Sequence, residues 1–466
     1  MAERAFDVVV LGAGPAGEVC AERVANGGLE VAVVEGNLLG GECSYYACMP
    51  SKSLLRPAEL LAEVKRVPGA AEAASGDLDV ASALARRDEV IHDLDDSSHV
   101  GWLEERKIAL FRGAGRLDGE RRVRVGEDTL TARRAVVVAT GSSPAIPPID
   151  GLGEADPWGN REATTAKGAP ESLVVLGGGF VGAELAQAWR TLGSDVTLIE
   201  AEERILSPEE PFASEQVADG LREIGVEVRT RAKASAVGVE EGLVRVELED
   251  GDSATGERLL VAVGRKPNTG EIGLDAAGVE GGERGYLEVD DQLRVMTRDV
   301  QAHRAVSEWL YAVGDVNGRA LLTHMGKYQA RIAGDHILGK DVAATEDRRA
   351  VPRVVFTEPQ VAAVGLTFAT ARERGFNARA VEVPTAGNAG ASFTGRNAPG
   401  TSRLVVDEDR RVLVGATFVG PETAEFVHAA TIAVVGEVPL ERLWHAVPSF
   451  PTRSEVWLDL MEEYGL

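Results

Sequence analysis

Two cysteines, Cys43 and Cys48, stand five positions apart in the stretch Gly40-Gly41-Glu42-Cys43-Ser44-Tyr45-Tyr46-Ala47-Cys48-Met49-Pro50-Ser51-Lys52. The 466-residue chain has only three cysteines, so this stretch concentrates its thiol chemistry. Residues five apart on an ideal helix lie roughly 8–9 Å apart at Cα, whereas a disulfide needs less than about 7 Å. If the two pair, the turn between them must be distorted. Pro50 supplies a reason, because it has no N–H for the Tyr46 carbonyl and its ring crowds that carbonyl. A strained bond of this kind is reducible, which suits a redox catalyst better than a structural staple. Three readings compete: two unrelated buried thiols, a zinc site, or a redox-active dithiol. Zinc wants four ligands, and no other Cys or His is near in sequence.

The elements around the cysteines favour the third reading. Asp7–Leu11 is a continuous apolar run of the kind that makes a buried parallel strand. Gly12-Ala13-Gly14-Pro15-Ala16-Gly17 follows, then a helical pattern, then a second strand, Val31–Val34, ending in Glu35. A strand, G-x-G-x-x-G, a helix and a terminal acid together make a dinucleotide site. The glycines let the backbone approach a pyrophosphate at the helix N-terminus, and Glu35 is placed for a ribose. The pattern recurs at Gly177-Gly178-Gly179-Phe180-Val181-Gly182, with Glu200 closing the second strand. The separation is 23 residues in both cases, from Gly12 to Glu35 and from Gly177 to Glu200. Two such folds imply two dinucleotides, or one used twice, with one carrier retained and the other exchanged.

Gly-Gly-x-Cys-x4-Cys-x-Pro-Ser-Lys resembles the redox helix of the flavin-dependent pyridine nucleotide–disulfide oxidoreductases, which include lipoamide dehydrogenase, glutathione reductase and mercuric reductase. The resemblance implies an α/β fold with two Rossmann-like dinucleotide-binding domains, for FAD and NAD, and a C-terminal α+β dimerisation domain. It divides the chain into residues 1–150 (FAD), 151–272 (NAD(P)), 273–348 (second part of the FAD and central region) and 349–466 (dimerisation). Pro147, Pro148 and Gly151 mark the first linker. FAD is expected at Gly12, Gly14, Pro15, Ala16, Gly17, Glu35, Gly41, Lys52, Thr140 and Gly141. Further on, Gly314 and Asp315 follow an apolar strand, and Leu322, Thr323 and His324 begin a helix over the flavin. NAD is expected at Gly177, Gly179, Val181, Gly182, Glu184, Glu200 and Gly264. Glu200, with Glu202 and Glu203 nearby, favours NAD(H) over NADP(H); Arg204 is the one residue that pulls toward a 2′-phosphate.

By the same resemblance Cys43 is the outer thiol, which meets the substrate, and Cys48 the inner thiol beside the flavin, the two forming a disulfide when oxidised. Lys52, one turn after Cys48, pairs with Glu184. Lipoamide dehydrogenase and its relatives end in a histidine, Pro-Thr and, five positions after the histidine, a glutamate that orients its ring; the partner subunit donates this pair as a base. Here the register reads Phe450-Pro451-Thr452-Arg453-Ser454-Glu455: the frame is kept and the histidine is replaced by Phe450. His445, Tyr45 and Tyr46 are the remaining candidates for a base. The expected activity is passage of electrons from NAD(P)H through flavin and the Cys43–Cys48 disulfide to a small-molecule acceptor, as in dihydrolipoamide dehydrogenase. One alternative is direct reduction of a quinone or other small acceptor by the flavin, and another is a non-enzymatic redox sensor.

Composition sets the outer limits. With 74 acids against 49 bases the net charge is −25, which argues against nucleic acid and anionic membranes as partners. No apolar run is long enough to span a bilayer, and no signal peptide pattern precedes the first strand. The chain reads as cytoplasmic and without a metal, and the resemblance implies a homodimer. Cys20, on a helical pattern, is expected to be a buried small hydrophobe.

Overall fold

Val8, Val9 and Val10 are completely buried in the strand Glu3–Leu11, as an unbroken apolar run requires when both faces of a sheet are covered. Each such side chain contributes roughly 1.5–3 kcal/mol of burial. The computed structural model describes residues 3–74, 76–297 and 305–466. These residues form two compact units, each assembled from three separated stretches of chain.

The first unit comprises the stretch ending at Met49 together with Asp88–Pro144 and Arg265–Arg348. Its sheet runs in the order Ala305–Ala312, Asp128–Val138, Glu3–Leu11, Val31–Glu35, Ala109–Arg112, all parallel, with Arg294–Thr297 antiparallel at one edge. Helix Pro15–Asn26 leaves the first strand through the glycine turn, with Pro15 at the helix start, where a missing N–H costs nothing. Helix Thr323–Ile337 packs beside it. Cys20 is fully buried here, and burial pushes its thiol up to about 12.

The second unit comprises Pro50–Arg87, Ala145–Gly264 and Arg349–Leu466. A parallel sheet, Glu227–Arg229, Asp195–Ile199, Ser172–Leu176 and Arg258–Val261, carries helix Phe180–Thr191. A five-stranded antiparallel sheet follows in the order Pro352–Val355, Gln360–Gly365, Val412–Gly420, Thr401–Asp407, Ala378–Pro384. Residues 50–87, grouped with the first domain from sequence, pack in this unit instead. The reason is the apolar stripe of helix Cys48–Arg66: Leu54 and Leu55 share a core with Ala83, Leu84 and the fully buried Trp189. The chain after the cysteines holds the helices Cys48–Arg66, Val80–Val90 and Ser97–Glu105. Among the described residues, no helix is long and apolar enough to cross a membrane.

Candidate active site

The distortion that a Cys43–Cys48 contact demands takes the form of a break between two helices. Gly41–Tyr45 ends at Tyr46, whose φ of −132° and ψ of −3° are not helical, and a new helix, Cys48–Arg66, begins two residues later. Pro50 is not the cause. It sits in the first turn of the second helix, where no intrahelical N–H bond is lost. The left-handed Gly40 (φ +92°) starts the first helix, a conformation that favours glycine.

Both cysteines are free thiols in this structure, the reduced state of the pair. Cys43 hydrogen-bonds Cys48, and this bond, followed by burial, holds the Cys43 proton well above the usual thiol range; the Thr323 hydroxyl and the Lys327 charge act the other way. Thr323, expected to serve the flavin, has its Oγ1 3.4 Å from Cys48 Sγ. Tyr45 is a wall, not a base: it is buried, its hydroxyl donates to the Asp95 carbonyl at 3.3 Å, and burial pushes its pKa up to about 12. Tyr46 packs on it. His99, whose ring lies beside that of Tyr45, bonds Glu18 through Nδ1 at 2.7 Å.

The two glycine motifs are built alike. Gly12 (φ +99°) and Gly177 (φ +102°) make the turns, and a Cβ on Gly17 would fall 1.9 Å from the Gly12 carbonyl oxygen, one on Gly182 1.8 Å from that of Gly177. The strand-end acids match as well. Glu35 accepts from the N–H groups of Ala13 (2.6 Å) and Asn37 (2.7 Å), and Glu200 from those of Gly178 (2.7 Å) and Glu202 (2.8 Å). A Cβ at Gly14 or Gly179 would meet nothing within 4 Å, so each helix N-terminus opens onto space of the kind a pyrophosphate fits. In the first unit, Gly41 packs on Gly14, and Gly314 and Gly326 close on Ala16. Asp315 accepts from Ser142 Oγ at 2.5 Å, and Thr140 donates to the Asn268 carbonyl at 2.8 Å beside Gly141. Leu322 precedes helix Thr323–Ile337, with His324 exposed in its first turn. In the second unit Val181 is exposed beside Gly182, and Gly264 (φ +144°) closes the last parallel strand. Arg204 is committed to its own loop, donating to the carbonyls of Ser207 (2.7 Å) and Glu209 (3.2 Å) and to Ser214 Oγ (3.3 Å).

The pyridine nucleotide-disulphide oxidoreductase family model matches residues 6–330, and its dimerisation-domain model matches residues 351–461. The chain belongs to this family. It is similar to a dihydrolipoyl dehydrogenase from Thermus scotoductus, 34% identical over 98% of this chain and 97% of the relative. It is also similar to a mercuric reductase from Lysinibacillus sphaericus, 30% identical over 97% of this chain and 81% of the relative. Among solved structures, the HOCl-induced flavoprotein disulfide reductase RclA from Escherichia coli superposes with a TM-score of 0.85 at 27% identity, covering 98% of this chain and 99% of that one. Like them, the chain is an NAD(P)H-dependent flavoprotein oxidoreductase of the disulfide-reductase type, in a family that uses FAD and pyridine nucleotides.

Against this family background, the remaining expected residues fall in the second unit. Lys52 Nζ meets Glu184 Oε2 at 2.6 Å and lies 4.8 Å from the centre of the Phe356 ring, whose backbone N–H donates to the other Glu184 oxygen at 3.0 Å. The glutamate is thus held at both ends, and the lysine is aimed by charge and ring together. Glu455 accepts from the Gly390 N–H at 3.0 Å, so its carboxylate anchors a neighbouring turn. Phe450 is 77% exposed. His445 is exposed too, and no hydrogen bond joins it to Glu455; it lines a cavity of about 340 Å³ with Trp444, Trp457 and Met461.

Gln329 and Asp347 are both fully buried, and the sequence reading passed over them. Gln329 Oε1 accepts from the Gly314 N–H (2.9 Å) and from Asn317 (2.8 Å), while its Nε2 donates to Asp347 (3.0 Å). A carboxylate cannot donate and an N–H cannot accept, so the orientation of the amide is settled by its neighbours. This pair fixes the Gly314–Asp315 turn. A lone apolar-to-polar switch on a helix, such as the glutamine in Tyr328-Gln329-Ala330, was the only trace of it in the sequence.

Proposed function

We propose that the protein is a homodimer that oxidises NADH in preference to NADPH and passes the electrons through FAD and the Cys43/Cys48 pair to a small-molecule acceptor. FAD, when bound, supplies two-electron exchange between the nicotinamide and the sulfurs. Gly12, Gly14, Gly17, Glu35, Gly314 and Asp315 would hold it; Gly177, Gly179, Gly182 and Glu200 would hold the nicotinamide nucleotide. When the disulfide takes up two electrons the S–S bond breaks; a proton goes to Cys43 and Cys48 remains the electron-rich sulfur. The Cys43/Cys48 pair at a break between two helices, in the same compact unit as the Gly12–Gly17 turn and Glu35, supports this reading.

A second reading, direct reduction of a quinone-like acceptor, is favoured by Phe450. Its side chain moves no proton, and the nearby Glu455 carboxylate is held by the Gly390 N–H. Positioned acid–base groups are worth about 10²–10⁴-fold in such exchanges. Wild-type protein is therefore expected to reduce lipoamide slowly and a quinone briskly with NADH, and Phe450→His to raise lipoamide turnover by about 10-fold or more. Steady-state assays with both acceptors decide this. A wild type with fast lipoamide turnover that Phe450→His does not improve would point to a base elsewhere.

The nicotinamide preference rests on Glu200, because Arg204 has Nε and Nη2 engaged with Ser207, Glu209 and Ser214. A charge-assisted ribose bond of about 1.5–3 kcal/mol predicts NADH over NADPH by about 10-fold or more in flavin reduction. Stopped-flow traces at matched concentrations measure it, and equal rates would assign the preference to another residue.

A further inference from the structure

We infer that Lys327 supplies the positive charge that stabilises the thiolate of the reduced Cys43/Cys48 pair. The inference rests on the reading of that pair as the redox centre. Thr323 opens the 15-residue helix Thr323–Ile337, and its hydroxyl oxygen lies 3.4 Å from Cys48 Sγ across 275 positions of sequence. That contact sets the first turn of the helix against the sulfurs. Lys327 follows four residues later on the same face, and long side chains on a helix lean back toward its N-terminus, over the turn that touches the thiols. Lys327 is half-buried, and no described carboxylate forms an ion pair with it. Its charge is instead felt at Cys43, where it eases loss of the proton.

The groups that face Cys43 come from three elements. Glu42 adjoins it on its own short helix, Cys48 begins the next, and Thr323 and Lys327 come from the helix Thr323–Ile337. Cys48 and burial raise the energy of the Cys43 thiolate; Thr323 and Lys327 lower it. Of these, Lys327 alone carries a positive charge. The helix N-terminus adds a partial charge of the same sign. Phe450, in the slot where the resemblance implies a histidine, contributes none. A cation on the helix that already touches the sulfurs therefore favours the thiolate form of this half-buried pair.

The test measures the thiols directly. Protein reduced with excess dithiothreitol, then freed of it, is alkylated with iodoacetamide across a pH series, and modification of Cys43 and Cys48 is followed by mass spectrometry. Removing a cation disfavours the thiolate, so Lys327→Met is expected to move the midpoint of the profile upward by about half a pH unit to one unit and to slow alkylation at neutral pH by about 3- to 10-fold. Lys327→Arg keeps the charge and should stay near wild type. Lys340→Met, which removes a lysine from a surface pair with Asp335, controls for net charge. A Lys327→Met profile that overlays wild type, or a Lys327→Arg profile displaced as far as that of Lys327→Met, would overturn the inference. The thiols are reduced chemically, so failure of NADH to reduce the pair would sink the redox reading without moving these profiles.

Discussion

Cys43→Ser is expected to lose reduction of lipoamide or any other disulfide by about 10³-fold or more, the scale on which loss of a covalent nucleophile acts, while quinone reduction by NADH stays within a few-fold of wild type. The serine hydroxyl is close in size and can still donate a hydrogen bond to Cys48, so the site keeps its shape. What it cannot do is attack a disulfide sulfur or form the mixed disulfide through which exchange proceeds. Cys20 offers no replacement, since it is completely buried and burial holds its proton. Paired assays of one preparation with lipoamide and with a quinone read both results. Retained lipoamide turnover would remove Cys43 from the exchange step, and parallel loss of both activities would mean that every acceptor depends on the dithiol.

Gly182→Val is expected to abolish NADH binding, with affinity lower by about 10²-fold or more, and to leave FAD content unchanged. A Cβ at this position would lie 1.8 Å from the Gly177 carbonyl oxygen, an overlap that only movement of helix Phe180–Thr191 can relieve. Displacing the helix start by about 1 Å costs a site of this kind about 10²-fold, because the N–H groups that would meet the pyrophosphate move with it. The matching motif at Gly12 and Gly17 belongs to the other compact unit and is untouched. Flavin absorbance of the purified variant gives FAD content, and fluorescence titration gives NADH affinity. Unchanged NADH affinity would show that the nicotinamide nucleotide binds away from Gly177–Gly182. Loss of flavin would show that the substitution disturbs more than its own helix.

Much of this architecture could be read locally. The strand, glycine turn, helix and terminal acid at Gly12–Glu35 and again at Gly177–Glu200 are short-range patterns, fixed by backbone sterics and by which faces must be apolar. The Cys43–Cys48 spacing announced a break in the helix, since distance alone forbids the contact otherwise. The run Phe450-Pro451-Thr452 with Glu455 is likewise a local pattern, read from its register alone. Tertiary structure decided the rest. The break falls at Tyr46 because a left-handed Gly40 starts one helix and Cys48 another, with Pro50 left in a harmless first turn. Thr323 reaches Cys48, Gln329 fixes Gly314, and Gly390 holds Glu455, across separations of 275, 15 and 65 residues. Periodicity tells which face of an element is buried but not which partner lies opposite it. A polar side chain takes its hydrogen-bond partner from whatever the packing of distant elements brings within about 3 Å. Residues 50–87 show the same limit: their apolar stripe was legible, and only packing against Trp189 decided which core it would join.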